Sequence, residues 1–169
     1  FIATFSGGSN PAPERKLLAR HFGGKVRVHS VALESGAELP IWEFGDRRGK
    51  PCLFFHGLIS PTLFCKDKIE ILRRNGLRWL VTPRFFTEGL DPSDPVGFLE
   101  THTQAVAETV RHLVDEPVTC VAVNSGASWA THFAARHPDL VEKLVIAGAP
   151  FPPSSAAPAP MVTWRQENV

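Results

Sequence analysis

Residues 118–130, VTCVAVNSGASWA, carry an apolar strand straight into a small-residue turn and then a helix, with Asn124 at the sharpest point. A turn of this shape seats a nucleophile, because it lifts one side chain clear of the sheet. Acyl-transfer chemistry at such a seat needs a hydroxyl, a thiol or a carboxylate. Asn124 offers a carboxamide, which has no ionisable proton for a base to remove and a poorly nucleophilic oxygen. Other chemistry-bearing residues are placed by their context. His102 shares a helical face with Phe98, Val106 and Thr109 and reads as a hydrogen-bonded core residue, while His112 and His137 read as surface. His132 and His137 stand five apart, a poor alignment on a helix, so no metal site is expected. Cys120 lies mid-strand and reads as buried and inert; Cys65 sits in a helix and reads as half exposed.

Bulk composition removes several classes of function. The chain has 169 residues, 43% of them hydrophobic, which suits one domain with a real core. Eighteen Lys and Arg against 17 Asp and Glu leave a formal charge of +1, so no global field draws nucleic acid or an anionic membrane. The local basic groups Arg47, Arg48, Lys50 and Arg73, Arg74, Arg78 read as solvated turns and helix ends. Three widely spaced cysteines suggest neither a disulfide frame nor a zinc site, which points to a reducing, cytoplasmic setting. No apolar run reaches the roughly 20 residues of a membrane span. The opening FIATF is too short for a signal peptide, and the missing initial Met hints at sequence upstream.

Periodicity supplies the elements that would position the turn. ERKLLARHF (14–22) reads as a short amphipathic helix stopped by Gly23-Gly24, and KVRVHSVAL and LPIWEF as an antiparallel hairpin. PCLFFHG is a continuous apolar strand of the kind buried on both faces of a parallel sheet. A helix opened by Ser60-Pro61 and closed by Gly76 follows, then the strand LRWLVTP. Asp94-Pro95 opens a second helix whose inward face runs from Phe98 to Leu113. VTCVAV, the helix SGASWATHFAARH and the strand KLVIAGA complete the series. Strands alternating with helices predict an α/β fold with a mostly parallel, doubly wound sheet. The domain reading is a tether and short helix over 1–24, a core over 25–149, and a Pro/Ala-rich linker or cap root over 150–169.

Three pieces in this order resemble the α/β-hydrolase superfamily: PCLFFHG with its following helix, PVTCVAVNSGA, and AARHPDLVEKLVIAGAP. The resemblance covers residues 36–151 and implies an α/β-hydrolase core, incomplete at its C-terminus. In that family the motif is G-x-S-x-G on a strained strand-to-helix turn, with small residues on both sides. Asn124 at the nucleophile position puts Ala122 and Gly126 at the flanks; the alternative register, with Ser125 there, puts Val123 and Ala127. The first fits better, and Asn tolerates the positive φ of an apex.

The resemblance also implies an oxyanion pocket built from the N–H of Ser125 and from Leu58, with His56 and Gly57 at its rim and Gly126 behind the turn. Arg84 and Phe85-Phe86 stand where relatives carry an Asp and smaller residues, and the acid and histidine that follow the nucleophile in the family do not arrive in this sequence. The leading expectation is therefore a hydrolase-like domain without catalytic power, a pseudoenzyme needing no cofactor or metal. It would bind a small apolar, acyl or carboxylate-bearing ligand, or a partner domain or the remainder of a longer chain, and it resembles sensor modules of some transcriptional regulators. The alternative is an active serine-type esterase that uses Ser125, or a natural nucleophile replaced at 124, with acid and base supplied from outside the sequence.

Overall fold

The computed structural model describes residues 20, 22–34, 38–57, 66–82 and 94–148. Six strands form one sheet in the order β1-β2-β4-β3-β5-β6. They are β1 (Arg27–Ala32), β2 (Glu38–Gly45), β3 (Lys50–Phe55), β4 (Leu77–Val81), β5 (Val118–Val123) and β6 (Val141–Ala147). β2 runs antiparallel to both β1 and β4, whereas the β4-β3, β3-β5 and β5-β6 pairs are parallel. The fold is thus the expected α/β sheet, mostly parallel with an N-terminal antiparallel hairpin at one edge.

Parallel neighbours require crossovers, and three helices among the described residues lie in them. α1 (Lys66–Arg74) lies between β3 and β4, α2 (Pro95–Leu113) between β4 and β5, and α3 (Gly126–Arg136) between β5 and β6. Each helix has a local reason to start or stop where it does. Asp94 caps α2 by accepting a hydrogen bond from the Gly97 N–H at 2.9 Å, and Pro95 occupies the first turn, where no N–H is missed. Gly76, at φ 60, ends α1 in the left-handed conformation that other residues resist. Most of the helix expected over 14–22 lies outside the described residues; its close at Phe22, Gly23 and Gly24 is present, with both glycines at positive φ.

Strand alternation splits the core into two layers. On one face, under α2 and α3, Leu39, Ile41, Leu53, Phe55, Cys120 and Phe133 pack together. On the other, Phe22, Trp42, Phe44 and Phe54 pack with Ile69 and Leu72 of α1. Each large apolar side chain removed from water here is worth about 1.5–3 kcal/mol before entropy is counted, so both layers are needed to hold the sheet. On β3 the faces alternate, so Cys52 shares the α1 side with Phe54 while Cys120 of β5 belongs to the α2–α3 side.

Two surface expectations are corrected. His137 is 9% exposed because its ring packs on Phe133 at 5.3 Å, and burial, followed by the nearby Arg111, lowers its pKa. Arg78 is drawn inward to Glu43, a buried carboxylate that the sequence reading passed over. Arg27, the direct cross-strand partner of Glu43, also binds it, and His29 Nε2 lies 2.6 Å from its Oε2. Arg78 donates to the same carboxylate at 3.3 Å and to the Leu113 carbonyl at the end of α2. One charge buried in strand β2 thereby joins β1, β4 and α2, and only multiple partners make such burial tolerable.

Candidate functional site

The direction of the chain reverses across the sheet between β3 and β5. From β3 the chain crosses by α1 to β4 on one side; from β4 it crosses by α2 to β5 on the other. In open α/β sheets the crevice outside the carboxyl ends of the strands at such a reversal is where ligands bind. Here that crevice holds the residues following β3, β5 and β6: His56-Gly57, Asn124 and Gly148.

Asn124 has φ 50, and among the described residues it is the sole non-glycine at positive φ. Its N–H donates to the Ala147 carbonyl at 3.0 Å, and its carbonyl accepts from the Ala127 N–H at 3.0 Å. The first bond ties the turn to β6 and the second starts α3, so the bend is fixed from both sides. Gly126 makes the bend possible. A Cβ there would stand 2.1 Å from the Phe55 carbonyl oxygen and 2.7 Å from that of His56, so a side chain would force α3 away from β3.

Two further glycines frame the carboxamide. A Cβ on Gly57 would lie 3.3 Å from both Cβ and Nδ2 of Asn124, and one on Gly148, itself at φ 62, would lie 3.1 Å from Oδ1. The side chain of Asn124 is therefore flanked by backbone on both sides, while the residue itself is exposed. Such a site presents one donor group and one acceptor oxygen to anything entering the crevice. It holds no titratable proton at the apex.

His56 is buried, and its Nδ1 lies 2.8 Å from the Gly57 carbonyl. A carbonyl only accepts, so Nδ1 carries the proton, and the ring braces the backbone that faces Asn124. Ser125 is half-buried, in the right-handed region at φ −65 and ψ −9, one step past the apex and already entering α3. Asn124, His56, Gly57, Ser125 and Gly126 are thus brought to one crevice. Leu58 lies outside the described residues, as do Arg84, Phe85, Phe86, Cys65 and the Ser60-Pro61 helix start.

The remaining candidates stand apart from this crevice. His102 is fully buried, edge-on to Trp129 at 4.8 Å, and His132 bonds Glu100 at 2.8 Å across the α2–α3 pair. Burial pushes the Cys120 thiol up to about 12, which leaves it protonated and unreactive. No group of three or more His, Cys, Asp or Glu positioned to hold a metal ion occurs among the described residues. No helix among them is long and apolar enough to cross a membrane. Gly148 was missed as part of the site because KLVIAGA reads as unbroken strand; the Ala-Gly-Ala step at its end was the available signal.

No protein family matches the chain, and no curated protein matches it in sequence. Solved structures do. The thioesterase domain from the curacin biosynthetic pathway aligns at 19% identity with a TM-score of 0.60, over 84% of this chain and 52% of that one. The 2-hydroxy-6-oxo-6-phenylhexa-2,4-dienoate hydrolase from Rhodococcus sp. strain RHA1 aligns at 15% identity and 0.62, over 79% and 50%. A laboratory-evolved variant of potato epoxide hydrolase aligns at 26% identity and 0.58, over 72% and 39%. The chain spans about half the length or less of these structures, and at such identities the likeness is one of fold.

Proposed function

We propose, from the premise that this chain has the α/β-hydrolase fold, that it binds a small acyl or carboxylate-bearing molecule between Gly57, Asn124 and Gly148 without turning it over. One observation carries the reading: the residue at the apex of the strand-to-helix bend, at φ 50, is Asn124. Activation of an apex nucleophile by a base requires a proton to transfer, and a carboxamide has none to give at working pH. The N-terminus of α3 still favours a partial negative charge beside the bend, so a carbonyl or carboxylate oxygen finds a suitable electrostatic setting there. Ser125 does not replace the lost group. One residue further along a helix turns a side chain by about 100°, and misplacement of that order removes most catalysis.

In this reading the domain reports or transmits occupancy to a partner domain or to other parts of a larger protein, as a sensor would. Two measurements on the same preparation test it. Short p-nitrophenyl esters should be hydrolysed no faster than by an Asn124→Gly variant. Acetate, butyrate and their amides should produce saturable shifts of the Asn124 and Gly148 backbone resonances. Clear ester turnover that disappears in Ser125→Ala would replace this reading with an active serine hydrolase, and absence of any saturable shift would remove the ligand.

A further inference from the structure

Two basic stretches that are 25 residues apart in sequence meet at the end of the sheet opposite the crevice. The turn 46–49 lies against the end of α1: the Asp46 N–H donates to the Leu77 carbonyl at 2.8 Å and the Lys50 N–H to the Gly76 carbonyl at 2.8 Å. Contact is close enough that a Cβ on Gly49 would stand 2.4 Å from the Gly76 oxygen. The turn that carries Arg47 and Arg48 is thereby held against the segment that closes α1, whose last turn carries Arg73 and Arg74. Lys25 joins the same side of α1 through Glu70, at 3.9 Å.

The described carboxylates here are few. Glu70 alone serves Lys25, Arg73 and Arg74, at 3.9, 3.5 and 3.6 Å. Asp46 spends one oxygen on the Arg48 backbone N–H, and the Arg47 and Arg48 guanidiniums make no ion pair among the described residues. Nearby cations outside the cluster are engaged elsewhere, Lys50 with Glu142 at 2.8 Å and Arg78 with Glu43. Among the described side chains, the five cations Lys25, Arg47, Arg48, Arg73 and Arg74 stand against the two carboxylates Glu70 and Asp46, a local concentration of positive charge on a chain with a formal charge of only +1. Arg73 and Arg74 have an intrinsic reason to be where they are, since cations favour a helix C-terminus. Arg47 and Arg48 have none of that kind, and they are exposed.

We propose that this face of α1 and the 46–49 turn docks an acidic segment of a partner protein. Paired arginines suit carboxylates because each guanidinium offers a planar fork of donors. Ile71, 58% exposed on the same helix, adds an apolar side chain beside Arg74 on the solvent side. The exposed large hydrophobic residues among those described include no aromatic, so the stacking that single-stranded nucleic acid uses is missing, and one isoleucine is little apolar area for membrane insertion.

The test uses the full chain and a fluorescein-labelled octaglutamate peptide followed by anisotropy. Saturable binding at low salt, weakened about tenfold or more as ionic strength rises to physiological, is expected for exposed charges. The paired variant Arg47→Glu/Arg48→Glu should weaken it about tenfold, and Arg73→Glu/Arg74→Glu similarly. Reversal of two exposed cations on the other layer, Arg111→Glu/Arg136→Glu, should change it less than about twofold. The proposal is overturned if no peptide binds at low salt, if the distant reversal weakens binding as much as the local ones, or if a single-stranded RNA or phosphatidylserine vesicles bind the same face more tightly than the peptide. Circular dichroism of each variant separates lost docking from lost folding.

Discussion

A side chain at positive φ is held there by its surroundings, and Asn124 is held by hydrogen bonds to β6 and α3. Asn124→Gly should leave the urea midpoint nearly unchanged, whereas Asn124→Val should lower stability by about 1–2 kcal/mol, because a β-branched residue resists the left-handed region. An equal effect of the two would mean that the bend is not what constrains this position. Glu43 gives the larger effect. Glu43→Gln should cost about 2–3 kcal/mol by urea denaturation, the low end for breaking a buried pair, since Arg27 and Arg78 keep some contact with water. The apex was legible in the sequence because the run from apolar strand to small residues to helix is local. The Glu43 cluster was not, since Glu43 and its partners are spread over three strands and no local pattern distinguishes an inward glutamate from an outward one.

At the scale of elements, start and stop signals carried most of the reading. Asp94-Pro95, Gly76 and the Gly23-Gly24 pair mark ends that the chain does adopt. Asp94→Ala should therefore cost about 1 kcal/mol, measurable as a lowered unfolding midpoint, with Asp94→Asn recovering most of it. Failure of the asparagine to recover stability would assign the effect to charge rather than to the cap. Strand order was harder. Alternating elements predict a parallel sheet, but the placement of β4 between β2 and β3 depends on which face each crossover takes, and that is settled by packing of the two apolar layers. The patch of arginines follows the same logic: each half reads as an ordinary solvated turn or helix end, and only the contact between Gly49 and Gly76 puts them side by side.

At the largest scale, the described residues form one sheet with a layer on each face, and an unpaired titratable group buried between them resists ionisation. Burial raises the Cys120 thiol from 9.0 to about 12. A pKa raised by folding stabilises the folded state fully below the unfolded value and loses that contribution as pH climbs through the folded one. Stability should thus fall between about pH 9 and 12, by up to about 1.4 kcal/mol for each pH unit, and Cys120→Ala should flatten that part of the profile relative to its own value at pH 7. An unaltered slope in the variant would place the alkaline transition on other groups. Cys52 and Cys120 also lie on opposite faces of the same sheet, each buried. With Cys65 replaced by Ser, the two sulfurs become separate chemical clocks: the rate at which an alkylating reagent reaches Cys120 times the parting of α2 and α3 from the sheet, and the rate at Cys52 times the uncovering of the opposite face, so the two faces of the sheet can be watched opening independently.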